Sequence, residues 1–164
     1  KADLSEVRLH EVLEHSLRLV QPQLEDKSAV LSRSFQAAPD LLKGDDYQLQ
    51  QAFVNLFLNA VEALGPNGTL TVTTETCFPG ARSAKPADSM NCPHFRIVIK
   101  DTGIGITPEN MARLFEPFFT TKPKGTGLGL AITRRIILQH QGAISAESQP
   151  GQGTAFEILL PTSA

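Results

Sequence analysis

The chain has 164 residues, of which 41% are apolar and 20% charged, and its net charge is −2. These values are typical of one globular domain with a sizeable core. The charges form no block of one sign, which excludes an electrostatic footprint for nucleic acid or an anionic membrane. No apolar run approaches the roughly 20 residues that cross a bilayer, and residues 1–6 lack the apolar stretch of a signal peptide. We therefore expect a cytoplasmic domain, with Cys77 and Cys92 as free thiols.

The first half of the chain alternates between helical and extended patterns. Apolar residues recur at three- and four-residue spacing after His10, and Pro22 is expected to kink or end that helix. Asp45 and Asp46 are expected to cap a second, longer helix. The predicted elements are a strand at 7–9, a helix at 10–24, a strand at 29–35, a helix from the Asp45-Asp46 cap to about Leu64, and a strand at 69–76.

The second half mixes strands and helices without strict alternation. Its predicted elements are a long hairpin loop at 77–94, a buried strand at 95–100, a short helix at about 108–114, an irregular stretch at 115–126, a helix at about 127–141, and strands at 143–148 and 154–160. This order favours the α+β class. We expect a two-layer α/β sandwich, in which about three helices cover one face of a mixed, mostly antiparallel sheet.

A polar stripe runs along the predicted helix before residue 64. Asn55, Asn59 and Glu62 fall within an arc of roughly 60° on a helix that is otherwise apolar. The stripe is either a solvent-facing side of an amphipathic helix or a binding surface. Asparagine is a poor helix former, so two of them four residues apart carry a cost that indicates a purpose.

A turn rich in glycine follows the predicted strand at 95–100. It reads Asp101-Thr102-Gly103-Ile104-Gly105-Ile106, and glycines at these positions turn the backbone sharply and expose a carboxylate. A carboxylate accepts a hydrogen bond from an exocyclic amine such as that of adenine. The alternative is an ordinary Asp-Gly turn.

The segment Gly125-Thr126-Gly127-Leu128-Gly129-Leu130 opens the last predicted helix. Glycines let phosphate oxygens approach backbone N–H groups closely, at the end of a helix that carries partial positive charge. The spacing matches neither the P-loop nor the dinucleotide fingerprint. The segment is therefore either a phosphate cradle of another kind or a flexible hinge.

Aromatic residues and prolines cluster just before this glycine segment. Phe115, Phe118 and Phe119 lie beside Pro117 and Pro123. They form either a small core plug or the anchor of a lid, from which Lys122 or Lys124 reaches a phosphate.

In chain order, these four segments resemble the N, G1, F and G2 boxes of sensor histidine kinases, which belong to the GHKL superfamily of ATP-binding domains. The resemblance rests on Asn-x-x-x-Asn, Asp-x-Gly-x-Gly, Phe-Glu-Pro-Phe and Gly-x-Gly-x-Gly, and it covers almost the whole chain. The sequence at residues 59–63 and 118–122 is most similar to that of the nitrogen-regulation (NtrB-like) branch. The resemblance implies the Bergerat fold.

The resemblance also implies roles for individual residues. Asn59 would hold Mg²⁺, and Asn55 would lie one turn earlier, near the phosphates of ATP. Asp101 would read the adenine amine, with Thr154 behind the adenine. Many family members carry lysine where this chain has Glu62, so Lys122 becomes the better cationic candidate. The other implied nucleotide contacts are Ala63, Gly103, Gly105, Ile106, Phe118, Gly125, Thr126, Gly127, Leu128, Gly129 and Leu130.

Asn55 favours phosphotransfer over hydrolysis. The ATPases of the superfamily typically carry glutamate at this position, as a general base for water, and an amide does not accept a proton at neutral pH. Phosphoryl transfer depends more on positioning and charge neutralisation than on a strong base. The prediction is therefore a kinase that uses Asn55 and Lys122. Two alternatives stay open, namely a regulatory module that only holds nucleotide and a serine kinase acting on an anti-sigma partner.

The chain's four histidines do not fit the phosphate-accepting motif of histidine kinases, in which an acid and soon Asn-Pro follow the histidine. The residues in question are His10, His15, His94 and His140. We therefore expect the acceptor on a separate dimerisation domain of the same parent protein, with a response regulator as an indirect partner and the fragment itself monomeric. Residues 1–6 are predicted to be the remnant of a linker, and residues 7–164 the ATP-binding domain.

Overall fold

The computed structural model describes residues 4–78, 93–117, 119 and 129–163. The strands are β1 (Ser5–Arg8), β2 (Val30–Phe35), β3 (Leu41–Gly44), β4 (Thr69–Cys77), β5 (His94–Asp101), β6 (Ala143–Gln149) and β7 (Gly153–Pro161). The helices are α1 (Leu9–Leu19), α2 (Gln21–Asp26), α3 (Asp46–Ala63), α4 (Pro108–Met111) and α5 (Gly129–Gln139). In the part of the chain so described, no helix combines the length and apolar character needed to span a bilayer.

Five of the strands form one mixed sheet in the order β2-β4-β5-β7-β6. β2 runs parallel to β4, and the other neighbouring pairs are antiparallel. A separate two-stranded sheet pairs β1 with β3. Helix α3 packs between α1 and α5 and against β5. The predicted two-layer α/β sandwich with a mostly antiparallel sheet is confirmed.

The core lies between the sheet and these helices. Every second side chain of β5 and β7 is buried, because successive residues of a strand point to opposite faces and only one face is covered. From α3, Phe53 and Phe57 are fully buried against it. Each side chain of this size contributes about 1.5–3 kcal/mol when buried. This packing fixes α3, and with it the polar stripe, relative to the ends of the strands.

The helix predicted over residues 10–24 is in fact two helices. α1 ends at Leu19 and α2 begins at Gln21, with Val20 between them. Pro22 lies in the first turn of α2, where its missing N–H leaves no hydrogen bond unmade. The four-residue strand β3 was not predicted, and β1 begins at Ser5, two residues earlier than expected.

His140 joins the end of α5 to the start of α3. The backbone N–H of Asp45 donates to His140 Nε2 at 2.9 Å, so His140 Nδ1 carries the proton and donates to the Ile136 carbonyl at 2.8 Å. The Asp45 carboxylate accepts from the backbone N–H of Gln48 at 3.0 Å and so caps α3 as predicted. His140 is therefore a buried structural histidine that fixes two helices to each other.

Candidate active site

Three polar residues form a row across the end of the sheet. Asp101 on β5 is the register partner of Thr154 on β7, which is the partner of Ser148 on β6. Asp101 is only 2% exposed and Thr154 only 5%. Buried polar side chains are rare unless they are hydrogen-bonded. Asp101 and Thr154 are buried and Ser148 is partly buried, so this end of the sheet is a candidate site.

The Asp101 carboxylate is held by backbone donors. The N–H of Gly103 donates to its Oδ1 at 2.8 Å, and the N–H of Thr154 also donates to the carboxylate. Burial raises the pKa of Asp101, and these two hydrogen bonds, which favour the ionised form, offset only part of that effect. The result is a buried acceptor with a fixed orientation, suited to an amine of a ligand.

The glycines of the turn are required by close packing. A Cβ on Gly103 would collide with the backbone carbonyl of Ala63, at the last turn of α3. The same carbonyl accepts from the N–H of Ile104 at 3.1 Å. Gly105 has a φ of +75°, and a Cβ there would collide with the carbonyl of Gln149. The turn is thereby fixed between α3 on one side and the end of β6 on the other.

Ser148 holds the far end of this turn and is not among the site residues predicted from the sequence. Its hydroxyl accepts from the backbone N–H of Ile106 at 2.8 Å and lies 2.9 Å from Thr154 Oγ1. A single serine in a strand carries no sequence signal for such a role. Its partner Ile106 is 42 residues away along the chain.

Lys27 holds the last turn of α3, and it too was missed. Its ammonium donates to the carbonyls of Val61 at 2.8 Å, Glu62 at 3.1 Å and Leu64 at 2.7 Å. The last carbonyls of a helix have no hydrogen-bond partner within the helix, and they carry partial negative charge. A lysine ammonium supplies both hydrogen-bond donors and a positive charge. Lys27 thus holds the end of α3 that packs on the glycine turn.

The residues of the predicted polar stripe lie on α3. Asn55 and Asn59 are partly buried, Glu62 is exposed, and Ala63 is partly buried against the turn. The amide oxygen of Asn59 and the carboxylate of Glu62 are hard oxygen donors, the ligand type that Mg²⁺ prefers. The chemistry of this stripe therefore fits a magnesium ion.

Several predicted site residues lie outside the described residues: Phe118, Lys122, Lys124, Gly125, Thr126, Gly127 and Leu128. Gly129 and Leu130 are the first two residues of α5. Gly129 is exposed, and its carbonyl accepts from Thr133 Oγ1 at 2.8 Å, while Leu130 packs at the edge of the core. The phosphate cradle and the lid lysine stay predictions.

The mixed sheet with helices on one face is the architecture of the Bergerat fold, which the catalytic domain of histidine kinase ThkA shares. A family model described as "Histidine kinase-, DNA gyrase B-, and HSP90-like ATPase" matches residues 44–164. The chain belongs to this family, and within it to the catalytic domains of sensor histidine kinases.

The similar proteins agree with this assignment. "Sensor histidine kinase ZraS" of Klebsiella oxytoca is 38% identical over 155 residues, which are 94% of this chain and 31% of that protein. The catalytic domain of histidine kinase ThkA superposes with a TM-score of 0.79 at 28% identity, covering 98% of each chain. The mycobacterial sensor histidine kinase MprB gives 0.77 at 31% identity, covering 97% of each chain.

The chain spans about a third of the length of the ZraS and sporulation kinase C relatives and 14–21% of sporulation kinases E and A. ThkA has also been solved in complex with the response regulator protein TrrA, with a TM-score of 0.76 at 26% identity, covering 99% of this chain and 42% of ThkA. None of these relatives is named for nitrogen regulation, and the NtrB-like branch stays a prediction.

Proposed function

We propose that this chain binds Mg·ATP and donates the γ-phosphoryl group to a histidine on a separate dimerisation domain of its parent protein. The observation that carries the proposal is the Asp101 carboxylate, buried at the end of β5 and oriented by two backbone N–H groups. A buried acceptor with this support suits the exocyclic amine of adenine. Thr154 adjoins it, and Gly103, Gly105 and Ile106 form the turn beside it.

The α3 stripe faces the phosphate end in this proposal. Asn59 and Glu62 would hold Mg²⁺, and Asn55 lies one turn away. When bound, Mg²⁺ would supply positive charge that neutralises the phosphates. Asn55 orients the phosphate oxygens without acting as a base, so ATP is conserved for the protein acceptor instead of being hydrolysed.

Residues 125–130 and Lys122 complete the phosphate end. In the proposal, Gly125, Thr126, Gly127, Leu128, Gly129 and Leu130 offer backbone N–H groups to the phosphates. Lys122 supplies the cationic charge, and Phe118 closes the lid. The general support is that glycine-rich turns before a helix bind anions.

The acceptor lies outside this chain in our proposal. His10 is partly buried and stacks on Phe35 at 4.9 Å, and its Nε2 lies 2.8 Å from Thr74 Oγ1. His140 has hydrogen bonds at both ring nitrogens. Histidines so engaged are poor phosphate acceptors. We extend the ThkA–TrrA complex to propose that a response regulator receives the phosphate next, in the cytoplasm, where ATP is available.

Phosphate transfer tests this proposal. The chain is fused to the histidine-bearing dimerisation domain of a relative and incubated with ATP labelled at the γ-phosphate. We expect acid-labile labelled protein, and we expect Asp101→Ala and Asn59→Ala to lose it. Lys100→Ala is the matched control, because Lys100 precedes Asp101 but is exposed.

The results of these assays distinguish a kinase from a module that only holds nucleotide. Binding of a fluorescent ATP analogue without any labelled histidine would contradict phosphotransfer and support a nucleotide-holding module. Unchanged binding in both Asp101→Ala and Asn59→Ala would contradict the site itself.

A further inference from the structure

The Ser148 hydroxyl has three hydrogen-bond partners, although it carries one proton. Its oxygen lies 2.8 Å from the backbone nitrogen of Ile106, 2.9 Å from the carbonyl oxygen of Gly153 and 2.9 Å from Thr154 Oγ1. A backbone N–H only donates and a carbonyl only accepts. Ser148 therefore accepts a hydrogen bond from the backbone N–H of Ile106 and donates its own proton to the carbonyl of Gly153.

This proton count fixes the direction of the remaining bond. Because the Gly153 carbonyl only accepts, assigning the Ser148 proton to it leaves Thr154 as the donor to Ser148. Toward any further partner, Thr154 Oγ1 then offers only lone pairs. The neighbouring Asp101 carboxylate is likewise an acceptor. The row across the three strands thus presents two acceptors and no side-chain donor.

Such a pair discriminates between purines at position 6. Adenine carries an amine there, with two N–H donors, whereas guanine and hypoxanthine carry an oxygen that only accepts. A 6-oxo purine would place its oxygen against two acceptors, and a site that leaves buried polar groups unpaired rejects its ligand strongly.

We propose that Ser148 is a specificity-determining residue, which selects adenine over 6-oxo purines by fixing the Thr154 hydroxyl as an acceptor. Without Ser148, that hydroxyl is free to rotate and donate its proton to a 6-oxo group. The inference rests on the proposed function, because it takes Asp101 and Thr154 as the adenine end of the site. Ser148 itself acts through Thr154 and needs no contact with the nucleotide.

The test compares the dissociation constants of ADP and inosine diphosphate, measured by calorimetry on this chain. We expect the parent to prefer ADP. We expect Ser148→Ala to reduce the ratio of the two constants by about five- to tenfold, the size of one net hydrogen bond. Ser148→Thr keeps the hydroxyl and should restore the ratio. Ser145→Ala, at an exposed position of the same strand, should leave it unchanged.

Thr154→Val isolates the mechanism. This variant lacks the hydroxyl, so Ser148→Ala should change the ratio no further in its background, whereas a purely structural role for Ser148 would weaken both nucleotides equally in either background. If Ser148→Ala does not fold, Thr154→Val alone must still lower the ratio.

An unchanged ratio in Ser148→Ala, or in Thr154→Val where only that variant folds, would overturn the inference, as would equal binding of both nucleotides by the parent. Failure of the proposed function looks different. In that case the parent binds neither nucleotide, or Asp101→Ala leaves ADP binding intact, and both proposals fall.

Discussion

Replacement of Lys27 by methionine should destabilise the domain at the end of α3. Methionine keeps an unbranched apolar chain but removes the ammonium that donates to three carbonyls. A cation at a helix C-terminus contributes about 0.3–1 kcal/mol when exposed and up to about 2 kcal/mol when partly buried. Lys27 is partly buried and has all three of its N–H donors engaged, so we expect a loss of about 2 kcal/mol.

The assay is thermal and urea unfolding of the parent and the variant. For a domain of this size, a loss of about 2 kcal/mol lowers the Tm by roughly 4–8 °C. The Tm of Lys27→Arg should lie between those of the parent and Lys27→Met, because a planar guanidinium matches three converging carbonyls less well than an ammonium does. Lys43→Met is the control, since Lys43 is exposed on β3.

A Lys27→Met variant whose unfolding free energy lies within about 0.5 kcal/mol of the parent, the range of ordinary surface substitutions, would contradict this role of the ammonium. Because the same turn of α3 packs on the glycine turn through Ala63, the variant should also bind ADP more weakly at temperatures where it is fully folded.

Four further predictions concern the site. ADP affinity should fall as the pH drops through the raised pKa of Asp101, because binding favours the carboxylate, and Asp101→Asn should remove this dependence in calorimetry. The raised pKa of Asp101 has the opposite effect on the unfolding free energy. That free energy should decrease as the pH rises from the pKa of an ordinary aspartate to the higher pKa of Asp101 in the folded protein. Gly103→Ala should lower the Tm, since its Cβ collides with the Ala63 carbonyl, whereas Gly129→Ala, whose Cβ would meet no described residue within 4 Å, should not. Asn55→Glu should raise ATP hydrolysis at least tenfold in a phosphate-release assay by supplying a base, and an unchanged rate would contradict the assigned position of Asn55.

Local patterns were enough to predict much of the fold. The bounds of β4, β5 and β7 lie within one or two residues of those predicted. Alternate burial along a strand produces alternating apolar residues in the sequence, which made these strands predictable. α3 begins at the expected aspartate cap. β3 escaped prediction because four residues are too few to show a period.

The site was predictable in its chemistry but not in its supports. Asp101 was expected as an exposed acceptor in a turn, and the structure shows instead that it is buried. Its burial arises from β7 and the turn packing around it, which no local pattern reports. Lys27 and Ser148 act across 34 to 42 residues of chain, and single residues at that separation carry no periodic signal.

The His140 linkage has a mechanical consequence for α5. The last turn of this helix is bonded to the start of α3, so its C-terminal end is the fixed end. Eleven residues at about 1.5 Å each give a helix about 16 Å long. A tilt of α5 about this bonded end would displace Gly129, at its opposite end, the most.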